Sequence, residues 1–596
     1  MKMKWLSLKW VGRARDRVVA FVAFLIDHPK STLTFYAILT ISAIAVTTQL
    51  KFDTSVDVFF DHSTPVYVGS KQLDKQFGGR EFCVVALTTD DVFTGKNLKL
   101  VADLSDRLAG MEYVEKVTSL TTVDDIVGEQ DNFIVRQLIK EVPTDPAGLA
   151  ALRRQALGNP LYVKNVISTD GKTAGIVVEI KDLPEMQGAH RQTVVRAIQD
   201  MLRKDIPPDV KASLSGGAAL EYHYNTSLET DMAKFVPLSI LMMAGILWFT
   251  FRRVRLMIYP MTIVSIGLIF TMAFMHLIGF KINSVTSIVP PCMLAMTVAE
   301  SVHYVAHIVR SGMLGMDRRR LLIDKMHELA VPFFMTSATT VVGFLSLLTT
   351  KSPAIRQLGI VGAVGVTITI IVTMTLLPVL MKWGKFSLKE TAAMDAQERK
   401  VDLWVAPIVE FIIRLIDRRR RAVIIGSVVL AMICVAGAFR IKSESSLLAQ
   451  LGDGAPIVQS THYVESHLSG VHLAYVSLRH EKQDGFKEPR NLGAIERVQA
   501  FLTTIPEMDK SMSVVDLLKD MNQSFHNEDK GFFRIPDTRE MVAQYTLLYS
   551  GEDLEDYVDS TWSWAVVPFR LKEHSSGRLE EIFNQIRGFI RDHPEA

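Results

Sequence analysis

Seven stretches of this chain are apolar over a length that crosses a bilayer: residues 31–50, 234–251, 256–279, 284–308, 329–349, 355–381 and 422–440. A hydrocarbon core takes about 20 helical residues. Lipid offers the backbone no water to bond, so a spanning segment must satisfy its own peptide groups, as a helix does. The 596-residue chain is 48% hydrophobic. It is therefore a polytopic α-helical membrane protein, with two long polar segments, 51–233 and 441–596, left outside the lipid.

Basic residues set the orientation. Arg252, Arg253 and Arg255 follow the second span. Arg318, Arg319 and Arg320 follow the fourth, Lys382 and Lys389 the sixth, and Arg418 to Arg421 precede the seventh. All fall on one side if the N-terminus is cytoplasmic, as the positive-inside rule requires. The expected location is a bacterial inner membrane, with 51–233 and 441–596 in the periplasm. Residues 1–30 carry scattered charges and no cleavage pattern, so they read as an amphipathic cytoplasmic helix rather than a signal peptide. Residues 382–421 make a cytoplasmic linker that includes a second amphipathic helix. The net charge of +2 gives no footprint for nucleic acid, and Cys83, Cys292 and Cys434 form neither a disulfide framework nor a CxxC metal site.

In 51–233, EFCVVALTT, YVEKVTSL, TAGIVVEIKD and VKASLSG read as strands. GKNLKLVADLSDRLAG and HRQTVVRAIQDMLRKD read as helices. Two βαβ units predict two small ferredoxin-like subdomains, with a helical stretch at about 121–165 between them. An internal repeat is also visible at an offset of about 390 residues. VVAFVAFLIDHPKS precedes the first span as IVEFIIRLIDRRRR precedes the seventh, and Pro65 and Leu87 correspond to Pro456 and Leu478. The second copy stops before its closing strand and its bundle of spans. The expectation is an incomplete form of a protein of about 770 residues, with two parallel repeats of about six spans.

With that order of elements, the chain resembles the resistance–nodulation–division (RND) superfamily, in its MMPL-like, Patched-related branch. TSATTVVGFLSLLTTKSPAIRQLGIVGAVGV resembles the family's fifth and sixth spans, and VTMTLLPVLM the end of the sixth. AESVHYVAH resembles the fourth-span segment, where the family carries an aspartate followed by Ser or Tyr and a His; this chain has Glu300 instead. The resemblance implies porter-like periplasmic domains at 51–233 and 441–596, the second incomplete, and a sterol-sensing-like bundle at 234–381. It also implies a transporter driven by protons, exporting hydrophobic or lipid-like molecules. Its partners would be that cargo, protons, membrane lipids, and a second copy or a periplasmic protein. No cofactor and no enzymatic activity are expected.

The fourth span carries the candidate site. Residues three, four and seven apart share a helix face, so Glu300, His303, Tyr304 and His307 line one stripe. Entering near residue 284, the chain reaches Glu300 after roughly 24 Å, past the midplane. An ionised carboxylate there costs several kcal/mol unless it is paired or solvated. Taking up a proton removes that cost, and a carboxyl that loads and unloads protons is what a pump needs, each proton carrying about 2.3 kcal/mol per 100 mV. Glu300, Ser301 and His303 are the expected relay, with Tyr304, Thr339 and Thr340 as neighbours. Pro290 and Pro291 are expected to kink the helix. The bland alternatives are a structural hydrogen bond at Glu300, a packed Tyr304 and a solvated His307. Two other functions compete: a non-pumping lipid or sterol sensor, and a membrane metalloenzyme built on ExxHxxxH, for which no second ligand pair is found.

Overall fold

A computed structural model describes residues 2–53, 56–78, 81–128, 133–183, 186, 188–311, 317–382, 388–441, 446–549 and 553–593. Part of the expected cytoplasmic linker, 383–387, lies outside the described residues. The chain divides into a helical unit, Met1–Asp61 with Leu228–Ile441, and an α/β unit, His62–Ser227 with Lys442–Ala596.

Among the described residues, seven helices are long and apolar enough to cross a membrane: Pro29–Thr47, Gly217–Phe251, Val254–Leu277, Thr286–Val309, Arg318–Thr349, Pro353–Lys382 and Ala406–Ala438. They are spans one to seven below. Two begin well before their apolar stretches: span two continues a helix that starts at Gly217, and span five opens at Arg318, capped by Asp317. A polar helical turn outside lipid loses no backbone bonds, so the helix outruns the hydrophobic pattern. Span seven ends a helix that leaves helical geometry at Arg419 (φ −130°, ψ 38°), inside the Arg418–Arg421 cluster. The N-terminal helix, Lys2–Asp27, buries Val19, Val22 and Ile26 against the bundle and leaves Phe21 and Phe24 exposed.

The bundle closes on small residues. A Cβ on Gly365 of span six would lie 2.8 Å from Met293 Sδ and 2.9 Å from Thr271 Cγ2, so spans three, four and six meet there at a distance only glycine allows. Gly359 and Gly362 are similarly crowded, while Gly343 meets nothing within 4 Å. Tyr36 of span one donates to Thr375 of span six across 2.6 Å or accepts from it, tying the two together.

In the α/β unit, the two expected βαβ units make one sheet rather than two subdomains. Strands β1 (Glu81–Thr88), β2 (Val114–Thr118), β5 (Thr173–Ile180) and β6 (Lys211–Ser215) form an antiparallel sheet in the order β2-β5-β1-β6. The reason is in β1 itself, EFCVVALT, an apolar run with no alternation. Such a strand is covered on both faces. Cys83, Val85 and Leu87 pack under helices Gly95–Ala109 and Ala189–Asp205. Phe82, Val84 and Ala86 pack on Val464, Leu468 and Val471 from the second half of the chain.

The helical stretch expected at 121–165 is a correction. Strands β3 (Asp124–Gly128) and β4 (Phe133–Gln137) pair there as a hairpin, and among the described residues of that stretch only Pro146–Gly158 is helical, capped by Asp145. Ile126, Val127, Ile134 and Val135 are β-branched and favour strands.

The repeat is visible in the pairing. Strands β7 (His472–Arg479), β8 (Met508–Ser511) and β9 (Trp564–Leu571) form a second sheet, ordered β7-β9-β8. Glu81 pairs with Ile180 as His472 pairs with Leu571. The bulge between Val114 and Lys116 recurs between Met508 and Lys510.

Candidate functional site

Span four starts from a capped turn. Asn283 Oδ1 accepts from the backbone of Val285 and Thr286 at 3.0 and 2.9 Å, and its Nδ2 donates to Gln357 Oε1 at 2.9 Å. The helix proper runs Val289–Ser311, so Pro290 and Pro291 stand in its first turn. That position bears on the kink expected of them. First-turn N–H groups have no intrahelical partner, so proline removes nothing there.

Met293, Thr297, Ser301, Tyr304, Val305 and Ile308 form the buried stripe of this helix; Met296 and His303 are exposed. Glu300 sits at the border, half-buried. Ser337 Oγ of span five donates to Glu300 Oε1 across 2.6 Å. Glu300 Oε2 is buried and has no hydrogen-bond partner among the described residues, as are Ser301 Oγ and, on span six, Thr369 Oγ1 and Thr373 Oγ1. A buried polar group left unpaired costs about 1–3 kcal/mol, more if charged. A proton on Oε2 removes the charge and supplies a donor.

The other expected relay residues fall elsewhere. Tyr304 Oη donates to Leu322 O at 3.1 Å, pinning span four to the start of span five. Thr339 and Thr340 each donate to Thr336 O of their own helix, and among the described residues neither they nor His303 bonds Glu300. The residue in contact is Ser337, a third hydroxyl of span five, close to Thr339 and Thr340 in sequence. Depth was the available signal: Glu300 and Ser337 stand equally far from the span ends at residues 308 and 329. No group of three or more His, Cys, Asp or Glu among the described residues is placed to hold a metal ion.

The α/β unit holds a second candidate, a cavity of about 150 Å³ lined by residues of its four-stranded and three-stranded sheets and of the β3–β4 hairpin. Phe82, Val177, Leu473, Met512 and Tyr557 give it apolar walls, and Lys510, Arg570, Glu179 and Asp520 reach it too. Lys510 Nζ donates to three backbone carbonyls, Pro160, Leu161 and Val163, at 2.8–3.0 Å. Burial and the nearby Arg570 pull Lys510 down to about 7. Arg570 lies 5.2 Å over the Phe82 ring and donates to Ser469 Oγ at 2.6 Å. Burial, then Glu528 and Asp125, push Asp520 up to about 7.

A folded-state value above the ordinary one means the folded protein holds that proton more tightly than the unfolded chain. Stability from Asp520 is therefore full in acid and lost as pH rises through about 7. Asp520→Asn is expected to stabilise the α/β unit by about 2–4 kcal/mol at pH 8 and by little near pH 4. Hydrogen exchange at β7 and β9 across that range checks the sign; a gain that is the same at both ends refutes it.

Seven spans, a carboxyl inside the bundle and a twice-built α/β unit define a class of polytopic membrane protein. A profile of the MMPL family matches residues 86–414, more than half of the sequence. The chain belongs to the MMPL family, an RND-superfamily group. It is similar to the membrane protein MJ1562 of Methanocaldococcus jannaschii, 23% identical over 370 residues that cover 60% of this chain and 90% of that one. It is also similar to the hopanoid transporter HpnN of Burkholderia multivorans, 22% identical over 62% of this chain and 40% of that protein. The multidrug resistance protein MdtC of Escherichia coli is 24% identical over 37% of this chain and 22% of its own length. The chain thus spans most of the archaeal relative but less than half of the hopanoid transporter and of the multidrug resistance protein.

Proposed function

We propose that this protein is a transporter driven by the proton gradient, moving hydrophobic or lipid-like molecules out of the inner membrane, with Glu300 as the proton-carrying group. The observation that carries the reading is the divided carboxyl: one oxygen held by Ser337, the other buried and open to a proton. The hydroxyls of Ser301, Thr369 and Thr373, buried in the same unit without partners among the described residues, are suited to hold relay water. Two relatives named as a hopanoid transporter and a multidrug resistance protein support lipid-like and amphiphilic cargo.

In this reading the N-terminus and the basic clusters are cytoplasmic. The segments 51–233 and 441–596 are then periplasmic porter-like domains, and the cavity beside Arg570 is the first place to look for cargo.

The test is reconstitution into proteoliposomes carrying a fluorescent sterol, with transfer to acceptor vesicles followed over time. Transfer is expected only under an imposed pH gradient and should stop when a protonophore collapses it. A rate indifferent to the gradient rejects proton coupling and leaves a sensor or passive carrier.

A further inference from the structure

We propose that the groove between the N-terminal helix, span one and span six is a binding site for one anionic phospholipid. Its acyl chain would lie in the groove and its phosphate at the basic mouth. The site is separate from Glu300 and does not depend on the transport reading.

The groove has a volume of about 410 Å³ and is lined by Phe21, Phe24 and His28 on one side, Phe35 and Tyr36 on the next, and Ile371 and Thr375 on the third. A pocket of this size suits a small-molecule ligand. Phe21, Phe24 and Phe35 are more than half exposed, a wasteful placement for aromatics unless hydrocarbon covers them. The polar groups of the floor are already satisfied. Tyr36 and Thr375 bond each other at 2.6 Å, and Thr32 Oγ1 donates to His28 O at 3.0 Å. The floor therefore asks nothing of a ligand but contact, which suits an acyl chain and not a polar solute.

The mouth asks for negative charge. The chain turns there from the N-terminal helix into span one, through Asp27, His28, Pro29 and Lys30. Arg319 grips Asp27 with two bonds, 2.6 and 2.8 Å. Lys382 Nζ reaches Ile26 O at 2.6 Å, and Arg318 Nε reaches Met381 O at 3.0 Å. Lys30 is exposed. Arg319 and Lys382 thus both stand beside the one carboxylate of Asp27, and exposed Lys30 follows three residues on, leaving an excess of positive charge at the end of the groove marked by His28. A phosphate answers both features; a neutral sterol answers only the groove.

The experiment uses the whole chain in nanodiscs of phosphatidylcholine with a small fraction of diazirine-acyl phosphatidylglycerol or, in a parallel arm, diazirine-acyl phosphatidylcholine. Labelled peptides are mapped after illumination. Labelling is expected to concentrate at residues 21–36 and 371–375, with about a fivefold preference for the anionic probe, the effect of roughly one basic side chain. Lys30→Gln, which removes one positive charge, should bring the two probes to parity. Ser31→Trp, at an exposed position lining the groove, should remove labelling by both probes there and leave labelling elsewhere unchanged. Equal labelling by the two probes in the unmodified protein overturns the anionic head. Labelling spread evenly over all spans, or indifferent to Ser31→Trp, overturns the site. Both variants are first checked for an unchanged thermal midpoint, and Ser31→Phe replaces Ser31→Trp if the latter misfolds.

Discussion

Glu300→Gln is expected to abolish gradient-driven transport, by about 100-fold or more, the range over which a positioned proton-transfer group acts. The amide is nearly the same shape as the carboxyl and still offers Ser337 an acceptor, so the helix contact survives. What is lost is the ability to bind and release a proton. Glu300→Asp keeps the carboxyl but withdraws it by one methylene, out of reach of the 2.6 Å bond from Ser337. A lost hydrogen bond to a charged group is worth about 1.5–3 kcal/mol, so Asp should leave activity reduced by at least about tenfold but present. Ser337→Ala should fall in the same range, because it removes the bond and leaves the carboxyl. Transport assays on the three variants, beside thermal midpoints, separate the cases. Full activity in Glu300→Gln would sink the relay and return Glu300 to a structural hydrogen bond.

The second large effect is structural. Gly216, with φ +107°, joins β6 to the helix that becomes span two. A Cβ there would lie 2.5 Å from Phe82 O and 3.0 Å from Cys83 Cα, both in the backbone of β1 and neither able to move without breaking the sheet. Gly216→Ala therefore meets a conformational penalty and a backbone clash together, about 3 kcal/mol or more. Gly78 is the control, because its φ is also positive (+79°) but nothing lies within 4 Å of its Cβ position. Gly78→Ala should cost the backbone penalty alone, about 1–3 kcal/mol, with no clash added. The difference in thermal midpoint or expression isolates the clash; equal loss in the two variants would contradict it.

Much of this architecture is legible in the sequence. The spans announce themselves because lipid demands long apolar runs. β1 does so because a strand covered on both faces cannot alternate. The repeat shows as a weak series of matches and returns in the structure as a shared register and bulge. The hairpin β3–β4 is not legible, because five-residue strands carry too few positions to separate a period of two from one of 3.6. Ser337 was hidden for another reason. Span five offers Ser337, Thr339 and Thr340 within one turn, and composition cannot say which faces span four. The cavity beside Arg570 is assembled from residues as far apart as Phe82, Asp124 and Asp520, which no local pattern links.

The bond from Ser337 also makes the two oxygens of Glu300 chemically distinct before any proton arrives. If Glu300 carries the transported proton as proposed, Oε1 already spends one lone pair on Ser337, and Oε2, buried and unpartnered among the described residues, is the readier site for it. Alternation between the two sides of the membrane would then rest on what Oε2 faces, and so on sliding or rotation of span four against its neighbours.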